Sequence, residues 1–323
     1  MSEQEPAVYK EKGEMAYWAD MALLAERARI AAQVRIKHLA RRGIESPDTE
    51  AFLEKARGFE TYVDGWLAAR AATHPTWPWA SLVKGLGKEN LPKVLGLIEK
   101  FGTWYDPGDP LIPVYVHREA QPYIILVDGE PVEKVGVWVA GIERLTLPSK
   151  LWKYSGLAVD AETGRAPKRA GGTKLGFNSR LRTMLYRLGG GLMKAGGVWY
   201  TFYTERHQEI VDRAQARGVK ILPTPRARMC PKCMVEVTKK AALFCPTCGG
   251  PLALKDEPEG VLWKGHVHMM ALREMIKQWE LCLWLVWREA EGLPVSQPYS
   301  VAFLEHKPID PWLMVDRPVA ARK

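Results

Sequence analysis

The sequence predicts a mainly α-helical protein that carries a small β insertion and a cysteine-bearing ribbon. Three observations carry that expectation. Apolar residues recur at helical spacing over most of the chain, two β-rich runs lie either side of Asp128-Gly129, and four of the five cysteines fall in two Cys-x-x-Cys pairs. A length of 323 residues accommodates two or three domains, and 47% hydrophobic with 26% charged residues is the balance of a folded chain rather than a disordered one. The most apolar run, Leu281 to Trp287, is far short of the ~20 residues that cross a bilayer. The first residues are polar and include acidic side chains, so no signal peptide is expected and the predicted location is cytoplasmic. The 13 tryptophans sit at apolar helical or proline-flanked positions, where core packing is their expected role.

The N-terminal part reads as an antiparallel helical hairpin, residues 14–73. Its first helix shows Tyr17, Met21, Leu24, Ala28 and Ala31 at alternating four- and three-residue steps and should stop at Gly43. Ser46 as N-cap, Pro47 at the first helical position, and Asp48 and Glu50 in the first turn mark the second helix. Its expected seam is Phe52, Ala56, Phe59, Val63 and Trp66. Two such seams also suit a homodimer formed through the hairpin. The prolines of His74-Pro-Thr-Trp-Pro-Trp79 end it.

Ser81-Leu-Val-Lys84-Gly85-Leu-Gly87-Lys88, followed by Leu91, Val94, Leu95 and Ile98, has the pattern of a helix-hairpin-helix. Two glycines let such a turn approach a phosphate, and the following helix offers unpaired amides to it. Lys84, Lys88 and Lys93 add charge. Residues 103–141 change to β character around Asp128-Gly129, with Glu130 to Lys134 read as a longer connection. Helix is expected again from Ile142 to Tyr154, from Phe177 to Leu188 up to a Gly189-Gly-Gly break, and from Tyr200 to Gln215.

Charge is concentrated between Lys150 and Lys194, where ten Lys/Arg face two acidic residues, Asp160 and Glu162. Arg165, Lys168, Arg169 and Lys174 lie in its glycine-rich loop, and Arg180 and Arg182 open the next helix. With a formal net charge of +9 over the whole chain, such a stretch suits a polyphosphate partner, DNA or structured RNA, and the same residues also serve as a solvated basic surface.

Cys230-Pro-Lys-Cys233 and Cys245-Pro-Thr-Cys248-Gly249-Gly250 form the most specific chemical pattern. Two Cys-x-x-Cys turns bring four thiolates onto one tetrahedral cation, and a spacer holding Val235, Val237 and Phe244 suits a short β-hairpin, so a structural Zn²⁺ in a zinc ribbon is expected. Cys282 lies in an apolar helical run and reads as core. His266 and His268, two apart at the start of the last helix, face different ways and suit capping or core roles rather than shared chelation.

In order, the helical hairpin, Gly85-Leu-Gly87, Leu151-Trp-Lys-Tyr-Ser-Gly-Leu157, the Gly/Lys/Arg loop, Asn178-Ser-Arg-Leu-Arg182-Thr-Met-Leu and the last apolar helix resemble the C-terminal half of the DEDD-type insertion-sequence transposases, the bridge-RNA-guided recombinases. The resemblance is nearest to a branch with a Gly-x-x-x-Pro loop, here Gly164 to Pro167, and a His-x-His, here His266 to His268. It covers residues 15–100 and 142–310. It implies a transposase-like helical domain, 74–102 and 142–220, completed by the last helix and an extended arm in 262–323. The β-rich segment 103–141 and the zinc ribbon 221–255 are insertions into it.

The resemblance places Thr163, before Gly164, where the family has its nucleophilic serine, while the family's acidic RuvC-like domain has no counterpart in the chain. Three readings follow. One is a nucleic-acid-binding protein without the full recombinase apparatus. The second is an active recombinase that uses the Thr163 hydroxyl or a partner subunit's acidic residues, and only then needs Mg²⁺. The third is an assembly adaptor built on the ribbon and the hairpin.

Overall fold

The computed structural model describes residues 7–99, 101, 104–105, 121–138, 145–159, 166–167, 175–225, 227–238, 242–254, 256–295 and 309–317. The protein is mainly helical with small sheets, and its backbone divides into two compact units, residues 1–198 with 276–323, and residues 199–275.

The first unit begins with α1 (Ala7–Ala40) and α2 (Pro47–Ala72). Trp18 meets Trp66 and Arg29 pairs with Glu60, while Arg35 donates to Thr49, so the helices run antiparallel. The expected seams are corrected. The buried row of α1 is Met15, Ala19, Ala22, Ala25 and Ala32, and Tyr17 and Leu24 face solvent. On α2, Ala56 and Val63 are buried as expected, but with Leu53, Leu67 and Ala71, and Phe52 and Phe59 are exposed. Small side chains are selected because α4 (Asn90–Ile98) lies against α1: a Cβ on Gly96 would stand 2.5 Å from the Met15 carbonyl oxygen and 2.7 Å from the Ala19 Cβ. Lys93, expected as surface charge, is buried in an ion pair with Asp64 at 2.9 Å, off the axis of a hydrogen bond. Pro47 opens α2 as expected, and the Ser46 hydroxyl meets the Thr49 hydroxyl at 2.7 Å instead of capping a backbone amide.

The one-turn α3 (Trp77–Ala80) precedes the Gly85–Gly87 turn. Strands β1 (Trp104–Tyr105), β2 (Gln121–Val127) and β3 (Glu130–Trp138) form an antiparallel sheet of order β1-β3-β2. Val127 pairs with Glu130 across Asp128 (φ 52°) and Gly129 (φ 86°), both left-handed as a two-residue type I′ turn requires. Glu130 to Lys134 is therefore strand, not a long connection. Helix α5 (Pro148–Tyr154) starts later than Ile142 because Leu147, ahead of a proline, is extended at φ −126° and ψ 146°.

Helix α6 (Ser179–Ala195) passes through Gly189–Gly191 without a break. Asn178 caps it, accepting the Arg180 and Leu181 amides at 3.1 Å each. Gly191 serves packing: a Cβ on it would collide with the Gly85 carbonyl oxygen, and one on Gly85 would lie 2.6 Å from the Gly191 carbonyl oxygen and 2.7 Å from the Ala195 Cβ, whereas Gly190 has open space.

Helix α8 (Lys264–Ala290) gives its residues from Ile276 onward to this unit, where Trp279, Leu283, Trp284, Val286 and Trp287 are buried with Trp79, Phe101, Leu151, Leu95 and Ile98. Some of the indole N–H groups in this core bond to backbone carbonyls, while those of Trp279 and Trp287 meet no acceptor among the described residues. Trp284 Nε1 donates to the Leu145 carbonyl at 2.9 Å, Trp152 Nε1 to Lys277 at 3.1 Å, and Trp79 Nε1 to Pro311 at 2.8 Å.

In the second unit, α7 (Val198–Ala216) leads into β4 (Lys220–Leu222), which pairs in parallel with β8 (Val261–Trp263) just before α8. Between these two strands the chain forms β5 (Arg228–Met229), β6 (Glu236–Val237) and β7 (Ala253–Leu254), a three-stranded antiparallel sheet of order β6-β5-β7. Among the described residues, no helix is long and apolar enough to cross a membrane.

Candidate metal centre and basic surface

The four cysteines converge. One sulfur from each of Cys230, Cys233, Cys245 and Cys248 lies within 4.8 Å of the others, and Cys230 Sγ is 3.5 Å from Cys248 Sγ. Four ligands at ~2.3 Å around a tetrahedral cation stand just under 4 Å apart, so the donor set fits a metal such as zinc with small adjustment.

The local backbone explains the convergence. Strand β5 delivers Cys230, whose amide donates to the Val235 carbonyl at 3.0 Å, and the Met234 amide returns to the Cys230 carbonyl at 2.9 Å. In the second turn the Cys245 amide donates to Gly250 at 2.7 Å and the Gly249 amide to Cys245 at 2.9 Å. The residue after the second cysteine of each turn is left-handed, Met234 at φ 54° and Gly249 at φ 67°. Glycine takes this conformation freely and methionine does so at a cost of about 1–2 kcal/mol. The Cys233 amide donates to Cys230 Sγ at 3.4 Å, the kind of second-layer bond that steadies a thiolate. The Cys248 and Thr247 amides hold the Cys245 thiol down, to about 6, while hydrogen bonding to Cys248 pushes Cys233 up to about 12.

Of the expected nucleic-acid-binding residues, Lys84, Gly85, Gly87 and Lys88 share one turn. The Lys84 and Lys88 side chains are exposed, and Gly87 is left-handed at φ 70°, with the Asn90 side-chain amide 3.9 Å from where a Cβ would stand. The Lys84 amide, however, donates to Asp316 at 2.7 Å. On α6, Arg180 pairs with Asp20 at 2.5 Å and the neighbouring Arg187 with Glu26 at 2.7 Å, tying α6 to α1. Arg182 donates to the Pro167 carbonyl at 2.7 Å and lies over the Phe177 ring at 5.1 Å. Thr163, Arg165, Lys168, Arg169 and Lys174 lie outside the described residues.

Asp316 and Glu280 have no signal in the sequence, whereas His266, His268 and Cys282 are legible as capping or core residues. Asp316 joins the Gly85 turn and the start of α7, a long-range role with no local signature. Glu280 is fully buried beside Ser155, whose hydroxyl donates to it at 3.0 Å; burial pushes its carboxyl well above the usual range, opposed by that bond and by Lys277. His268 Nδ1 meets Tyr203 Oη at 2.7 Å and His266 Nδ1 meets Glu257 at 2.7 Å, so the two histidines serve separate partners. Cys282 is buried, as expected of a core residue, and burial raises its thiol.

Comparison of the chain with protein-family models, with curated proteins and with solved structures finds no match in any of the three.

Proposed function

We propose that this chain is a nucleic-acid-binding protein, taking DNA or structured RNA, that is related to the insertion-sequence transposases and works without full recombinase catalysis. The observation that carries the reading is the charge of the Lys150–Lys194 stretch, ten basic residues to two acidic among glycines and aromatics. The exposed Lys84 and Lys88 side chains at the glycine turn support it.

In this reading the Cys230, Cys233, Cys245 and Cys248 cluster holds a structural Zn²⁺, because four thiolates leave no open ligand position and suit that soft tetrahedral ion. Free thiols of this kind persist in a reducing compartment, which supports a cytoplasmic location. The exposed Tyr17, Leu24, Phe52 and Phe59 on the hairpin support a homodimer through that element.

The test is an electrophoretic shift series with labelled structured RNA and duplex DNA at rising salt. Retention of either polymer that weakens steeply with salt supports the proposal, and no retention at low salt rejects it. Cleavage of supercoiled DNA with Mg²⁺, lost in Thr163→Ala, would instead favour the recombinase reading.

A further inference from the structure

Three large apolar side chains crowd the cysteine turns and face water. Met234 is 67% exposed, Phe244 64% and Leu243 58%. Met234 and Phe244 are each one residue from a cysteine of the cluster, so the convergence of the four sulfurs brings them to the same end of the ribbon. The Met234 position is costly twice over. Its side chain gains nothing from burial, and its backbone sits in the left-handed region that the matching Gly249 occupies without strain. Packing within the ribbon accounts for neither choice, since Cys230, Cys245 and Leu252 form its buried core.

The local sequence is basic, with Arg228 and Lys232 described and Arg226, Lys239, Lys240 and Lys255 outside the described residues. From residue 221 to 255 the chain has six Lys/Arg and a single acidic residue, Glu236, an excess larger than the two negative charges that four thiolates leave on a divalent cation. Lys232 is exposed and its stem lies over the second turn, with Cδ 3.9 Å from where a Cβ on Gly250 would stand. Exposed flat or polarizable apolar groups set among cations match an unstacked nucleobase flanked by phosphates. A duplex, whose bases are already stacked, offers no ring face to such a patch.

We propose that the Met234–Phe244 end of the ribbon is a single-strand binding site, where one base stacks on Phe244 against Met234 and Lys232 takes a neighbouring phosphate. The proposal rests on the nucleic-acid-binding reading above and assigns the ribbon the unpaired part of the ligand.

The test uses the full metal-loaded chain with a fluorescein-labelled single strand carrying 2-aminopurine and with a duplex of the same sequence. Phe244→Ala is expected to weaken single-strand binding about fivefold or more and to abolish the change in 2-aminopurine fluorescence, leaving duplex binding and the salt slope unchanged. Met234→Gly, which relieves the backbone, should retain the metal at least as well as the wild type yet lose single-strand affinity in the same sense. That opposition of metal retention and binding is what a purely structural residue would not give, and it holds as a readout if Phe244→Ala sheds its metal. Wild-type affinity in both variants, with salt-dependent binding intact, overturns this inference and leaves the general reading standing. A wild type that binds neither probe overturns both. Competition by polyglutamate as strong as by the oligonucleotide overturns the single-strand assignment in favour of an acidic protein partner.

Discussion

Asp316 Oδ2 accepts the Lys84 amide at 2.7 Å, so the glycine turn that reads as a phosphate cradle already holds an anion supplied by its own chain. The other carboxylate oxygen accepts the Val198 amide at 2.8 Å, and the Asp316 amide donates to the Leu82 carbonyl at 3.1 Å. Under the proposed function, phosphate contact at this turn would fall to the exposed Lys84 and Lys88 side chains. The Lys84 amide is committed to the fold.

Asp316→Ala leaves two amides without their acceptor. Hydrogen bonds to a charged group contribute about 1.5–3 kcal/mol, discounted here for partial exposure, so the variant should be about 2 kcal/mol less stable. Urea unfolding checks this through a lower midpoint at unchanged slope. An unchanged midpoint would mean that the carboxylate is dispensable to the turn.

The glycine contacts separate packing from flexibility. Gly85→Ala drives a methyl into the Gly191 carbonyl and also meets a left-handed backbone at φ 90°, and it should cost about 3 kcal/mol. Gly58, in α2 with open space around it, should gain about 0.5–1 kcal/mol when changed to alanine. Thermal melts of both variants should move in opposite directions.

Much of this was legible. Ser46-Pro47 marked the start of α2, Asn178 the start of α6, and the cysteine spacing the cluster, because each signal lies within a few residues of its effect. The hairpin seams misled because large side chains outrank alanine in any hydrophobic pattern, whereas close approach to Gly96 demanded Met15 and Ala19. Gly189–Gly191 reads as a break because the partner that explains Gly191, Gly85, is distant in sequence. Asp128-Gly129 and the β-rich runs on either side of it are legible, but Glu130 to Lys134 reads as a connection because Pro131 and three charged residues disguise the period of the first half of β3.

Glu280 makes stability depend on pH in a stated direction. Its carboxyl is raised in the folded state, so its contribution is full below the unfolded carboxyl range, near 4.5, and is lost progressively as pH rises towards the folded value. Glu280→Gln keeps the buried shape without the charge. The variant should match the wild type near pH 4 and exceed it increasingly towards neutrality. Denaturant midpoints measured across that range check it, and a gap that is constant with pH would contradict the assignment.

Metal removal should act locally. A chelator, or Cys248→Ser, should release the ion and expose residues 227–254 to protease and hydrogen exchange, with the tryptophan core around Trp279, Trp284 and Trp287 still protected. Equal protection with and without metal would show that the ribbon folds without it.

The most direct test of the central claim is the binding constant of the metal-loaded full chain for structured RNA and duplex DNA as a function of salt. The account predicts a linear fall of log Kobs with log salt, with a slope of about −3 or steeper for at least one polymer, as several released counterions require. No binding at low salt, or binding indifferent to salt, would contradict it.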